Sequence, residues 1–157
     1  VIDGTVIIGM GNPQLTDDGV GSAVAYAVAR QVGADRLTVI ELHTGGMRLM
    51  EAMAGFRRAV VVDAMVTGAA PGTVVRFDAN NFVTTKNSYS SHDTDFATAI
   101  TMGELLGVAL PDQISFWGIE AAECVLFGES LTPEVAAAVP RAVALIIDEL
   151  LRDGGRL

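Results

Sequence analysis

Four consecutive apolar residues, Ala59-Val60-Val61-Val62, constrain the fold of this chain more than any other stretch. A strand that is apolar at every position has no face to offer water. It belongs in the interior of a parallel sheet with helices on both sides. Thr5-Val6-Ile7-Ile8-Gly9 is a second run of this kind, ended by glycine. Leu37–Leu42 and Gln113–Ile119 read as further strands. Gly72–Asp78 alternates apolar and polar residues after a Pro-Gly turn, which predicts an edge or antiparallel strand.

Helical patterns fill the intervals. From Asp18 a stripe of Val20, Val24, Ala27, Val28 and Gln31 repeats at helical spacing and stops at Gly33. Leu49, Met50, Met53 and Phe56 share one helical face. Asn80–Ser91 is polar and reads as a loop. A helix over Thr94–Leu106 turns Phe96, Ala99, Ile100 and Leu106 inward, with Asp93 or Thr94 as its cap. Thr132-Pro133-Glu134 opens a last helix, with an N-cap hydroxyl and proline at the first helical position. It runs to about Leu151, and Pro140 inside it should kink or divide it.

Strand and helix alternate throughout, so the expected fold class is α/β. The expectation is a three-layer α/β/α sandwich around a mostly parallel, twisted sheet of about five strands, of the phosphorylase/hydrolase-like kind. The 157 residues suit a single domain over 1–157. Half of them are hydrophobic and 18% are charged, which suits a packed core and not disorder. A net charge of −9 argues against nucleic acid as a partner, although Arg57 and Arg58 stand side by side. No run approaches the ~20 apolar residues of a membrane span. Nor does a basic stretch precede an apolar one at the N-terminus. The single cysteine, Cys124, sits among acidic and apolar neighbours and reads as an inert thiol in a reducing compartment. A cytoplasmic protein without membrane association is expected.

In open α/β sheets, ligands bind outside the carboxyl ends of the strands, near a reversal in strand order. Asp18, Asp63 and His92 come from three connections that could converge there. Asp17 and Asp18 follow the first strand at the start of a helix, where negative charge is also favoured simply as a cap. Asp63 ends the all-apolar strand. His92 precedes a helix, and His43, at the end of the second strand, competes with it for any imidazole role. Two carboxylates and an imidazole suit a borderline divalent metal with open positions. Their convergence is a matter of tertiary structure, which spacing does not dictate. The first turn lacks the third glycine of a dinucleotide site, and its aspartates would repel a pyrophosphate. No His-Glu-x-x-His helix or Gly-x-Ser-x-Gly elbow is present.

These residues resemble the nickel-iron hydrogenase maturation endopeptidases. The opening Gly9-x-Gly11-Asn12, with Leu15, Asp17, Asp18, Gly19 and Gly21, is similar to that family's first block. Val60-Val61-Val62-Asp63-Ala64, Ser91-His92-Asp93 and Gly118-Ile119-Glu120 follow in the family's order, from Val6 to about Leu150. Ala121 stands where a proline is usual, and His43 where a small residue is common before Gly45-Gly46. The resemblance implies an endopeptidase, aspartic-type by family classification. Its target is the C-terminal extension of the hydrogenase large-subunit precursor, removed after nickel insertion. It implies Asp18 and Asp63 as catalytic residues and Asp18, Asp63 and His92 as metal ligands. Asn12, Asp17, Gly45 and Gly46 are assigned to substrate binding. It implies no intrinsic cofactor: the nickel arrives in the precursor, and other divalent cations can stand in for it. Two alternatives remain at this level. Gly9-Met10-Gly11-Asn12-Pro13 is also similar to the opening of peptidyl-tRNA hydrolases. A non-catalytic metal-sensing chaperone of the large subunit would need the same ligands.

Overall fold

Every residue of two neighbouring strands, β1 (Thr5–Met10) and β3 (Arg58–Met65), is buried. The computed structural model describes residues 4–78 and 95–152. In it β1 and β3 sit inside a five-stranded sheet of order β2-β1-β3-β5-β4. β2 (Thr38–Leu42) is the half-exposed edge beside β1, and β5 (Gln113–Glu120) lies beyond β3, all parallel. β4 (Val74–Asp78) forms the other edge and is antiparallel to β5, as its alternating pattern predicts. Strand order therefore reverses between β1 and β3, with Gly9 opposite Val62.

Alternate residues of the central strands face two separate cores. Ile7, Val60, Val62, Trp117 and Ile119 pack under α1 (Val20–Val32) and α4 (Pro133–Arg152). Val6, Ile8, Ala59, Val61 and Phe116 pack under α2 (Met47–Met53) and α3 (Phe96–Leu105). These are the three layers expected. Across the second core Phe96 meets Phe116 edge-to-face, with centroids 5.0 Å apart.

Several local expectations change. The chain makes a 3-10 turn over Thr16–Gly19 before α1 begins at Val20, so the buried stripe rotates: Ala25, Ala29 and Val32 are buried while Gln31 is exposed. α3 starts at Phe96 and its cap is Asp95, whose Oδ1 accepts the Thr98 N–H at 2.7 Å. Asp93 and Thr94 lie outside the described residues, as does the Asn80–Ser91 loop. Leu106 is exposed, because α3 ends at Leu105 and Gly107, at φ +71°, turns the chain away. α4 runs undivided through Pro140. Among the described residues no helix is long and apolar enough to cross a membrane. Arg57 and Arg58 form no basic patch, since Arg58 is buried against Glu149.

Candidate active site

Asp18 and Asp63 reach the same sheet edge because glycines let α1 press onto the β1/β3 seam. A Cβ on Gly21 would stand 2.4 Å from the Val62 carbonyl and 2.6 Å from that of Met10. Gly11, at φ +112°, turns the chain out of β1, and a Cβ there would meet the Asp18 carbonyl oxygen at 2.0 Å. The turn that follows carries Asp17 and Asp18 against β3. Thr16, at φ 54°, is the non-glycine residue held left-handed in this turn.

The two aspartates have different surroundings. Asp17 is fully buried. Its Oδ2 accepts the Ala122 and Glu123 N–H groups at 2.9 and 3.0 Å. The Thr132 hydroxyl donates to it at 2.8 Å, and the Thr132 N–H donates to Oδ1 at 2.7 Å. Asp17 thus fastens the segment between β5 and α4 to the first turn. Asp18 is 2% exposed, and its Oδ2 accepts the Asn12 N–H at 2.9 Å. Asn12 in turn accepts the Gln14 N–H on its side-chain oxygen.

Asp63 is also buried, and its Oδ1 accepts the Ala64 N–H at 2.8 Å. Ala59 and Val61 belong to the α2/α3 core, so by strand alternation Asp63 faces that layer. Gly45 and Gly46 are buried immediately before α2, in the same layer and at the same edge. His43 is exposed there, beyond Leu42, whose carbonyl accepts the Gly11 N–H. His92 lies outside the described residues. Among the described residues, no three His, Cys, Asp or Glu side chains gather closely enough to hold a metal. Cys124 is buried in the α1/α4 core.

Glu120, noted in the sequence only as part of a block, has a defined task at this edge. Its buried carboxylate accepts the Thr67 and Gly68 N–H groups at 2.7 and 2.9 Å and the Thr67 hydroxyl at 2.8 Å. It holds the turn leaving β3 just beyond Asp63. The available signal was the one used for Asp63, an acid closing an apolar strand. Such an edge, with two buried carboxylates at a strand-order reversal and glycines beside them, is suited to proton transfer or cation binding.

A family model described as hydrogenase maturation protease matches residues 22–149. The chain belongs to the hydrogenase maturation protease family. That membership separates it from the peptidyl-tRNA hydrolases, whose opening it partly shares. Among proteins similar to this member, the coenzyme F420 hydrogenase subunit delta of Methanothermobacter thermautotrophicus is 28% identical over 157 residues. The match covers 92% of this chain and 93% of that one. The hydrogenase expression/formation protein HupM of Azotobacter chroococcum is 30% identical over 152 residues, covering 95% and 72%. The [NiFe] hydrogenase maturation protease HybD from Thermococcus kodakarensis superposes with a TM-score of 0.63 at 29% identity, covering 93% and 98%. The hydrogenase maturating endopeptidase HybD from E. coli shares the fold, with a TM-score of 0.76 at 24% identity and coverage of 96% and 93%.

Proposed function

We propose that this protease acts in the cytoplasm as an endopeptidase on the nickel-iron hydrogenase large-subunit precursor. It removes the C-terminal extension after nickel insertion and recognises the bound nickel through Asp18, Asp63 and His92. The observation that carries the reading is the placement of two buried carboxylates, Asp18 and Asp63, at one edge, on either side of the β1/β3 reversal. Membership in the maturation protease family supports it. In the sequence His92 precedes α3, one of the two helices of the layer that Asp63 faces.

In this reading nickel belongs to the substrate. Two carboxylates and an imidazole complete its coordination and so hold only loaded precursor in register. The hydrolysis is of the aspartic type. One carboxylate accepts a proton from water as the water oxygen bonds to the scissile carbonyl carbon. The proton then passes to the amide nitrogen as the C–N bond breaks. The Asn12 N–H orients the Asp18 carboxylate for this role. The glycines at 45 and 46 leave room for the substrate main chain, and Asp17 contributes by fixing the first turn.

The test compares purified nickel-loaded and nickel-free precursor, with loss of the tail followed by mass spectrometry. Loaded precursor is expected to be cut and nickel-free precursor left intact; equal cutting of both rejects nickel gating. Asp63→Asn and His92→Ala are each expected to lower the cutting rate by at least about a hundredfold, within the usual range for a lost acid–base group or metal ligand. Full activity in either variant removes that residue from the site.

A further inference from the structure

Val125, Leu126 and Phe127 follow one another in the segment between β5 and α4, and they are 78%, 64% and 86% exposed. Three consecutive large apolar side chains in water are unfavourable unless a partner covers them. Their backbone is not loose. The Val125 and Leu126 N–H groups donate to the Glu123 carboxylate at 2.6 and 3.0 Å. The Thr16 hydroxyl donates to the Leu126 carbonyl at 2.7 Å, and the Thr16 N–H to that of Gly128 at 2.8 Å. The Gly128 N–H returns to the Gln14 carbonyl at 2.9 Å, and Leu15 bridges Gly128 in parallel. Asp17 clamps Ala122, Glu123 and Thr132, and Cys124 anchors the segment in the core. All but the last of these ties run to the turn that carries Asp18 or stay within the segment itself.

The segment itself is acidic: no Lys or Arg stands between Lys86 and Arg141 in the sequence, and Glu129, two residues after Phe127, is exposed. Glu123 is held below the usual carboxylate range by the N–H groups of Leu126 and Val125, so it remains ionised at neutral pH. A pinned apolar strip flanked in sequence by carboxylates and hydrogen-bonded to the turn that carries Asp18 fits one class of partner.

We infer that Val125-Leu126-Phe127 is a docking strip for the precursor, taking an apolar peptide segment flanked by Lys or Arg as the scissile region enters the site. The inference rests on the processing-protease reading above. Phe127 is the aromatic anchor, and the neighbouring carboxylates meet the flanking cation.

The experiment titrates nickel-loaded large-subunit precursor against wild type, Phe127→Ser, Leu126→Ser and Glu129→Lys, reading tail removal. KM is expected to rise about tenfold in the Phe127 variant, the loss typical of an anchor at an interface, with kcat moving far less. KM of wild type is expected to rise with salt, and Glu129→Lys is expected to raise KM at low salt and to weaken that salt dependence. A double change at Leu105 and Leu106 to Ser, a similarly exposed apolar pair at the C-terminal end of α3, serves as control and should leave KM alone. Binding of labelled nickel-free precursor, which the processing reading leaves uncut, to wild type and the same strip variants reads docking apart from cutting. Unaltered KM and binding in Phe127→Ser, with wild type cutting normally, overturns the docking strip and spares the processing reading. Failure of wild type to bind or cut overturns both. A wild-type dimer in sedimentation velocity that Phe127→Ser dissolves would assign the strip to a second copy of the chain, which also overturns the proposal.

Discussion

Asp17 and Asp18 are adjacent, chemically identical and both buried, yet they do different work. Asp17 takes donors from Ala122, Glu123 and Thr132, all more than a hundred residues away in sequence. Asp18 takes the N–H of Asn12 within its own turn. By position alone either could cap the helix, and the family resemblance assigned Asp18 to catalysis and metal binding and Asp17 to substrate binding. Asp17→Ala leaves three amide donors without their acceptor, and a buried donor so stranded costs about 1–3 kcal/mol. Because part of the segment can relax into water, we expect Asp17→Ala to destabilise the fold by about 3 kcal/mol in urea unfolding. Asp18→Asn keeps an acceptor for Asn12, so its unfolding midpoint should move much less while tail removal is lost. Equal stability losses in the two variants would contradict this division of labour.

Among the elements, the central strands were the most legible, because an all-apolar run has one comfortable environment. β3 extends past the Ala59–Asp63 run at both ends, to Arg58 and Met65. α4 departs from expectation. Val135, Ala138, Ala142, Val143, Ile146 and Leu150 bury a continuous stripe on either side of Pro140, and that packing carries the helix through the proline. Proline in a helix interior costs roughly 3 kcal/mol relative to alanine. Its restriction of the unfolded chain returns about 0.4–1 kcal/mol. Pro140→Ala, at an exposed position, is therefore expected to stabilise the protein by about 2 kcal/mol. A urea midpoint that stays put or falls would mean that the helix draws nothing from regular hydrogen bonding there. α3 shows the opposite sensitivity. Its ends are set by Asp95 and Gly107, and a helical pattern extended past both placed Leu106 inward when it is exposed.

At the scale of the whole molecule, the edge opposite the candidate site is tied by one buried carboxylate. Glu149 of α4 accepts from Arg58 of β3 at 3.2 Å and from the Ser115 hydroxyl of β5 at 2.6 Å, and it pairs with Arg76 of β4. Its carboxylate raises the Arg76 pKa above the usual arginine range. Glu149→Ala removes the buried carboxylate that pairs with Arg58 and accepts from Ser115, and is expected to destabilise the fold by about 3 kcal/mol, as breaking a buried ion pair does. Thermal or urea unfolding of that variant measures it. A loss under about 1 kcal/mol, the worth of a surface pair, would show that water reaches Arg58. Periodicity by itself determined the layers, the strands and the edge at which Asp18 and Asp63 stand, because apolar spacing is a local property of the chain. Tertiary structure decided the clamp at Asp17, the turn held by Glu120, the buried Arg58–Glu149 cluster and the pinned strip at Val125-Leu126-Phe127. Each joins groups from distant parts of the chain. Which donor a buried carboxylate meets is settled only when packing has excluded the water that would otherwise compete for it.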